Sequence, residues 1–353
     1  MKIIVYGASG YQGRLVLAEL ARRGIEPVLA GRDPARLERA AELTGLRGAD
    51  RRVAAAGDAR ALAEAFAGGD AVVNCAGPFT HTARAVAAAA VEAGRPYVDT
   101  SGEQLAVKDL FDTLGARARR AGVSVVPAAT DGCVPLDLLA SLVAARLGTV
   151  EEMRTVHLIG PGGGMSRGTL RSLAATIETV RAGGLVYDGG RWRPGRPGRR
   201  GEVRLPGRGG VRTVPGFAVP EVVTIPRHVR LRRLEGLAEA AVGEGPAGVP
   251  SPELIAGMPE GPGERDRRAQ RFTYLAEAAG AGGRRMRGVV EGSDTYGLTA
   301  VIAVEAARRL VAGPVGAGVL APAQAFDPVA FLDVLGAYGV RWWIGDGPDR
   351  DGR

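Results

Sequence analysis

Three glycines near the amino end, in the run Gly7-Ala8-Ser9-Gly10-Tyr11-Gln12-Gly13, have the spacing that speaks most directly of chemistry. They follow the apolar run Ile3 to Tyr6 and precede a helical pattern from Arg14 to Arg23. A strand turning this tightly into a helix offers main-chain N–H groups and the positive end of the helix dipole to an anion. Gly7 permits the turn, Gly10 lets the backbone approach phosphate, and Gly13 lets helix and strand pack closely. The GxxGxxG spacing therefore predicts that Gly7, Ser9, Gly10, Tyr11, Gln12 and Gly13 hold the pyrophosphate of a dinucleotide. The alternative is a purely structural turn in a chain where 54 of 353 residues are glycine.

A second candidate stands at the end of the next apolar run, Glu26 to Ala30, where Gly31-Arg32-Asp33 occupies the place at which an acid would meet a ribose 2′-hydroxyl. Arg32 can grip a 2′-phosphate through its planar fork, which favours NADP(H) over NAD(H). The other reading leaves Arg32 solvated and gives the hydroxyl to Asp33. Further along, Cys75-Ala76-Gly77-Pro78 lies just past a strand-like run, Asp70 to Cys75, where open α/β sheets bind ligands, so these four residues are expected to line the nicotinamide ribose. Thr100-Ser101-Gly102-Glu103 follows the next strand and faces the same cleft. Gly102 is expected at the cofactor; Asp99 and Glu103 are candidates to hydrogen-bond substrate, with a helix cap as the alternative for Glu103. Asp131 leads among acids for polar chemistry, because it opens the crossover out of the first sheet and so belongs at the floor of a cleft between domains. Its alternative is a cap for the helix near Pro135. Tyr11 and Tyr296 are available as donors. Cys133 reads as a small buried residue and His81 as part of a helix start.

The elements that must position these residues alternate regularly. Strand-like runs at Ile3 to Tyr6, Glu26 to Ala30, Arg52 to Ala56, Asp70 to Cys75, Pro96 to Asp99 and Val123 to Val126 are separated by helical patterns. This predicts a Rossmann-type doubly wound parallel sheet of about six strands over residues 1–134. After Asp131 the pattern becomes α+β. Helices are expected over Pro135 to Leu147 and Gly168 to Ala182, and strands over Glu152 to Ile159, Val222 to Leu231, Gln270 to Ala278 and Arg285 to Glu291. Residues 135–294 are read as a second domain for substrate and dimerisation, and residues 295–353 as a segment returning to the first domain and covering its sheet. Two stretches, Asp188 to Gly216 and Gly243 to Gly263, show no period. The first carries Arg191, Arg193, Arg196, Arg199, Arg200, Arg204, Arg208 and Arg212. It reads as a solvated linker or as a basic lid for phosphates, such as those of a phosphopantetheine arm or an acidic carrier protein.

Composition narrows the class. An apolar content of 46% with 24% charged residues fits a globular protein, no apolar run reaches membrane-spanning length, and a strand at the amino end leaves no room for a signal peptide, so the expectation is cytoplasmic. Two cysteines and three scattered histidines give no metal-ligand spacing and no disulfide framework. The formal charge of +8 comes from arginines spread along the chain, and no nucleic-acid module accompanies it. Schiff-base chemistry has only Lys2 and Lys108 to draw on. The expected partner is a small-molecule substrate, free or bound to an acyl carrier, and a homodimer is left open.

Several of these pieces together resemble the saccharopine dehydrogenase-like oxidoreductases and their relatives described as trans-acting enoyl reductases. The resemblance rests on Gly7 to Arg14, Gly31-Arg32, Val73 to Phe79, Tyr97 to Glu103, Ala129 to Asp137 and Gly292 to Ala300. The segment at Asp131 is similar to the family's Gly-Phe/Leu-Asp motif and departs from it in reading Ala129-Thr130-Asp131. The resemblance implies an NADP-dependent reductase that transfers hydride to a C=C, C=N or C=O group, with reduction of an enoyl or imine intermediate in specialised metabolism foremost. Two other uses of the fold stay open: bound NAD(P) as an internal relay in C–N bond formation, as in homospermidine synthases, and nucleotide binding without catalysis.

Overall fold

The computed structural model describes residues 1–195, 201–205, 208–239, 250–313 and 315–345. The first 126 residues alternate as expected: β1 (Lys2–Tyr6), α1 (Tyr11–Arg22), β2 (Glu26–Gly31), α2 (Pro34–Leu43), β3 (Arg51–Val53), α3 (Ala59–Phe66), β4 (Ala71–Asn74), α4 (Phe79–Glu92), β5 (Tyr97–Asp99), α5 (Gln104–Ala121) and β6 (Ser124–Val126). Local chemistry starts and stops these helices. Asp33 and Asp58 cap α2 and α3 through their side chains, and Gly122, with φ +67°, ends α5 in the left-handed region.

The strands pair in parallel in the order β3-β2-β1-β4-β5-β6, and a seventh, β15 (Gly318–Val319), joins the far edge beside β6. That seventh strand is two residues long and nearly two hundred residues away in sequence, which is why the expected count is about six. Both faces of the sheet are covered. Ile3 and Val5 pack with Val16, Leu17 and Leu20 of α1, whereas Ile4 and Tyr6 pack with Phe66, Val86 and Leu110 on the opposite face.

The chain leaves this sheet through α6 (Cys133–Leu147), buried without interruption from Cys133 to Ala140. A helix apolar on all sides needs cover on all sides. It finds cover between the two sheets, where Leu136, Leu138 and Leu139 join a core that runs continuously from β1 to Tyr274. Then follow β7 (Val150–Ile159), α7 (Arg167–Arg181), β8 (Leu185–Asp188), β9 (Arg191–Pro194), β10 (Gly201–Leu205), β11 (Arg208–Pro215), α8 (Glu221–Thr224) and β12 (Arg233–Glu239). The remainder is α9 (Pro252–Gly257), α10 (Glu264–Ala269), β13 (Arg271–Gly280), β14 (Arg285–Ser293), α11 (Thr295–Ala312), β15, α12 (Pro322–Ala325), α13 (Pro328–Gly336) and β16 (Arg341–Gly345). The second sheet is mixed, in the order β10-β11-β12-β7-β13-β14-β16, with β8 and β9 attached beside β12.

Three expectations need correction. The stretch Asp188 to Gly216 is not aperiodic: it forms the hairpins β8–β9 and β10–β11. Gly189 and Gly190, both at positive φ, make the two-residue turn of the first, and Val203 is buried with Val211 against it beneath the glycines and arginines that obscure the alternation. Arg196, Arg199 and Arg200 lie outside the described residues. Second, Val222 to Leu231 is not a strand. Pro220 and Pro226 bracket a short helix whose Val222, Val223 and Ile225 are all enclosed, so burial overrides β-propensity and the strand begins later, at Arg233. Third, the segment Pro328 to Ile344 does not close over the first sheet alone, because β16 pairs with β14 and extends the second. The helix α11 does pack against α1 and the first sheet. Of the second aperiodic stretch, residues 243–249 lie outside the described residues, and α9 is helical within the rest. Among the described residues, no helix is long and apolar enough to cross a membrane.

Candidate active site

Between the two sheets lies a cleft of about 2040 Å³. The first sheet reverses its strand order between β1 and β4, and the residues following these strands open onto that crevice. Tyr6 lies in register with Asn74, and the Cys75 amide donates to the Tyr6 carbonyl at 2.8 Å, so the two loops leave the sheet side by side.

The glycine turn is built for close approach. Gly7 has φ +80°, and a Cβ there would lie 2.7 Å from the Ala76 nitrogen. A Cβ on Gly13 would lie 2.3 Å from the Gly7 carbonyl oxygen, so that missing side chain is what lets α1 rest on the turn. Helix α1 begins at Gly10 with no side-chain cap and no acid in its first turn, which leaves its leading N–H groups to whatever occupies the cleft. Gly7, Ser9, Gly10, Tyr11, Gln12, Arg32, Cys75, Ala76, Gly77, Pro78 and Gly102 all line the cleft; Gly13 sits behind the turn as a packing residue. Asp33 turns its carboxylate to the α2 amides, accepting from Arg36 N at 3.1 Å, while Arg32 is exposed at the cleft with no hydrogen-bond or ion-pair partner among the described residues.

Two expected acids have other work. Glu103 is buried and accepts from Phe79 N at 2.8 Å and from the Thr80 nitrogen and Oγ1, each at 2.6 Å. It caps α4, a helix that starts 24 residues before it, rather than α5, which it immediately precedes. Three donors meet its carboxylate, which gives Glu103 a capping role, and the residue also borders the cleft. Asp99 is fully enclosed, accepting from Ser101 N and Ala128 N at 3.0 and 2.8 Å and from Tyr97 at 3.0 Å, and burial pushes its pKa up to about 6. It braces the loops around the cleft without meeting a ligand.

Asp131 does stand at the cleft floor. Tyr274 of β13 donates its hydroxyl to Oδ2, and Thr299 of α11 donates to Oδ1 at 3.0 Å, so one carboxylate joins three elements. Burial raises its pKa, against the lowering effect of those two hydroxyls and of neighbouring His157. His157 on β7 lies directly opposite Tyr274 on β13, with ring centroids 4.8 Å apart. Its Nε2 meets Glu221 Oε1 at 2.6 Å, and Thr155 donates to the same oxygen at 3.0 Å. Tyr274, Thr299, His157 and Glu221 are absent from the sequence-derived set. A period of two places His157 and Tyr274 on one face of their strands, but nothing local reveals the register that makes them neighbours.

The remaining candidates are accounted for by packing. Burial pushes the Cys75 thiol up to about 12 and the Cys133 thiol well above its ordinary value, which favours the protonated form of both. Tyr11 donates to the Pro262 carbonyl at 2.7 Å and meets Tyr296 edge-on at 5.2 Å; Tyr296 in turn accepts from Ser166 N at 2.8 Å. These contacts, with an ion-pair bridge from Arg14 through Glu260 to Arg167, fasten α1 to the start of α7 across the cleft mouth.

Residues 3–126 match the family described as the saccharopine dehydrogenase NADP-binding domain. The first 126 residues therefore carry a saccharopine dehydrogenase-like NAD(P)-binding domain. Over nearly its whole length the chain is similar in fold to apo saccharopine dehydrogenase (L-Glu forming) from Saccharomyces cerevisiae, with a TM-score of 0.61, 13% identity and coverage of 98% of this chain and 99% of that one. It is 30% identical over 141 residues to a trans-acting enoyl reductase of Mycobacterium ulcerans, covering 39% of this chain. A lipid droplet localized protein of Caenorhabditis elegans is 33% identical over 146 residues, or 38% of this chain. The chain spans about a third of the length of these curated relatives, 34% in each case. A nicotinamide dinucleotide fits the site: an uncapped helix start, a turn whose glycines leave no room for side chains, and an arginine without an ion-pair partner among the described residues succeed one another along the cleft.

Proposed function

We propose that this protein is an NAD(P)H-dependent oxidoreductase that reduces a polarised C=C, C=N or C=O group between its two sheets, with NADPH as the preferred cofactor. One observation carries the reading: the uncapped start of α1 and the hydrogen-bonded Asp131–Tyr274 pair open onto the same cleft. When bound, the nicotinamide supplies the hydride. The chain's own residues bind, orient and exclude water. The α1 amides and the Gly7–Gly10 turn hold the pyrophosphate, Arg32 pairs the 2′-phosphate, and Cys75 to Pro78 with Gly102 line the ribose. Asp131 fixes Tyr274 and Thr299 at the floor, where the reacting group is polarised.

The substrate reading follows from the opposite wall. Helix α7 turns Leu173, Ile177 and Val180 into the cleft, and these stay half-buried with no core to enter. Such a stripe suits a substrate with an apolar portion, free or carried on an acyl arm. Fluorescence titration with NADPH and NADH tests the shared premise. Wild-type protein is expected to bind NADPH more tightly, and Arg32→Ala to lose about tenfold or more in NADPH affinity while NADH affinity holds. Binding of neither nucleotide ends the reductase reading, and equal losses for both remove Arg32 from the 2′-phosphate.

A further inference from the structure

The cleft floor holds a second titratable pair that the reading above does not use. The hydroxyls of Tyr274 and Thr299 both commit their protons to Asp131. His157 differs. Glu221 is fully buried at the start of α8, where Thr155 and His157 converge on its Oε1 while Oε2 has no hydrogen-bond partner among the described residues. A carboxylate held at 2.6 Å makes Nε2 the protonated nitrogen and sets the angle of the ring. Nδ1 then makes no hydrogen bond among the described residues. It lies beside Gly132, where a Cβ would come within 2.7 Å of Cε1 and 3.3 Å of Nδ1, and both His157 and Gly132 line the cleft. The titratable groups facing the ring are Glu221 from α8, Tyr274 from β13 and Asp131 from the turn before α6.

We propose that His157, oriented by Glu221, is the group that exchanges protons with the substrate, through Nδ1. This rests on the reductase reading of the cleft. In the reducing direction the Nδ1–H bond breaks and an O–H or N–H bond forms on the reacting carbonyl or imine. The ring loses its positive charge and Nε2–H stays on Glu221. The electron pair gained by the substrate comes from the reduced nicotinamide, and solvent reprotonates the ring. Glu221 acts through His157 and is a positioning residue.

With three histidines in the chain, the test is nitrogen NMR on protein labelled at histidine, with the His157 signals identified by their loss in His157→Gln. The neutral ring is expected as the Nε2–H tautomer, and in Glu221→Gln the Nε2 resonance is expected to move because its carboxylate acceptor is gone. Addition of NADP⁺ is expected to move the His157 signals and leave those of His228 in place. An Nδ1–H tautomer, or an Nε2 resonance indifferent to Glu221→Gln, overturns the proposal whatever the nucleotide does. Unchanged His157 signals on saturation with NADP⁺ also overturn it, because the ring would then not face the occupied cleft. A protein that binds no NADP⁺ but keeps the expected tautomer and the Glu221-dependent Nε2 resonance refutes the reductase reading instead, leaving the oriented pair intact.

Discussion

Replacing Glu103 separates a structural carboxylate from a catalytic one, and the contacts set the size of the effect. Glu103 accepts three hydrogen bonds, but they are not equal. The Thr80 side chain is exposed and its amide lies in the first turn of α4, so in Glu103→Ala water can reach both donors. The Phe79 amide belongs to a residue only 6% exposed and keeps no substitute partner. A stranded buried donor costs about 1–3 kcal/mol, and a lost helix cap about 1 kcal/mol. The two overlap, because the stranded amide is one of the uncapped ones, so the expected loss is about 2–3 kcal/mol. In Glu103→Gln one carbonyl oxygen still accepts, while the new NH2 group faces a donor, and the loss should be about half as large. With a urea dependence of about 3 kcal/mol per molar, the unfolding midpoint of Glu103→Ala falls by about 1 M. NADPH affinity of the folded variant, measured by fluorescence well below that midpoint, should change little. A variant that unfolds at the wild-type midpoint yet loses all turnover would refute this reasoning and return Glu103 to the chemistry.

Two further outcomes follow from the cleft geometry. Asp131→Asn keeps NADPH affinity but lowers turnover by about a hundredfold, measured as NADPH consumption across a panel of enoyl, imine and carbonyl compounds; unchanged turnover removes Asp131 from the mechanism, and product formed without NADPH consumption favours the relay use of the cofactor. Gly13→Ala forces a methyl group to within 2.3 Å of the Gly7 carbonyl and is expected to abolish nucleotide binding, whereas Gly102→Ala, with no atom within 4 Å of its added Cβ, retains the fold and moves affinity only through the cleft lining. Calorimetric titration of the pair checks this, and equal behaviour of the two variants would contradict the packing role of Gly13.

How much of this was legible depends on the reach of each interaction. The glycine turn, the Asp33 and Asp58 caps and the parallel strands are written in residues a few positions apart, because φ freedom, capping and buried apolar runs act over one or two turns of chain. The helix that Glu103 caps was not legible, because proximity in sequence suggested the one beside it, while the donors it serves belong to Phe79 and Thr80 at the start of α4. The strand misplaced at Val222 failed for the opposite reason: complete enclosure removed the alternation on which a period-two pattern depends.

The amino-acid sequence alone therefore determined a nucleotide-binding half, its glycine cradle and an acid at the exit of the first sheet, since each is a local consequence of residue type. Only the tertiary structure decided which polar groups meet on the cleft floor. Asp131, Tyr274, Thr299, His157 and Glu221 come from five separate segments, and strand register together with the seating of α6 between two sheets sets their distances. Register and seating are won by burying apolar surface over the whole molecule, a sum that no short stretch of chain displays.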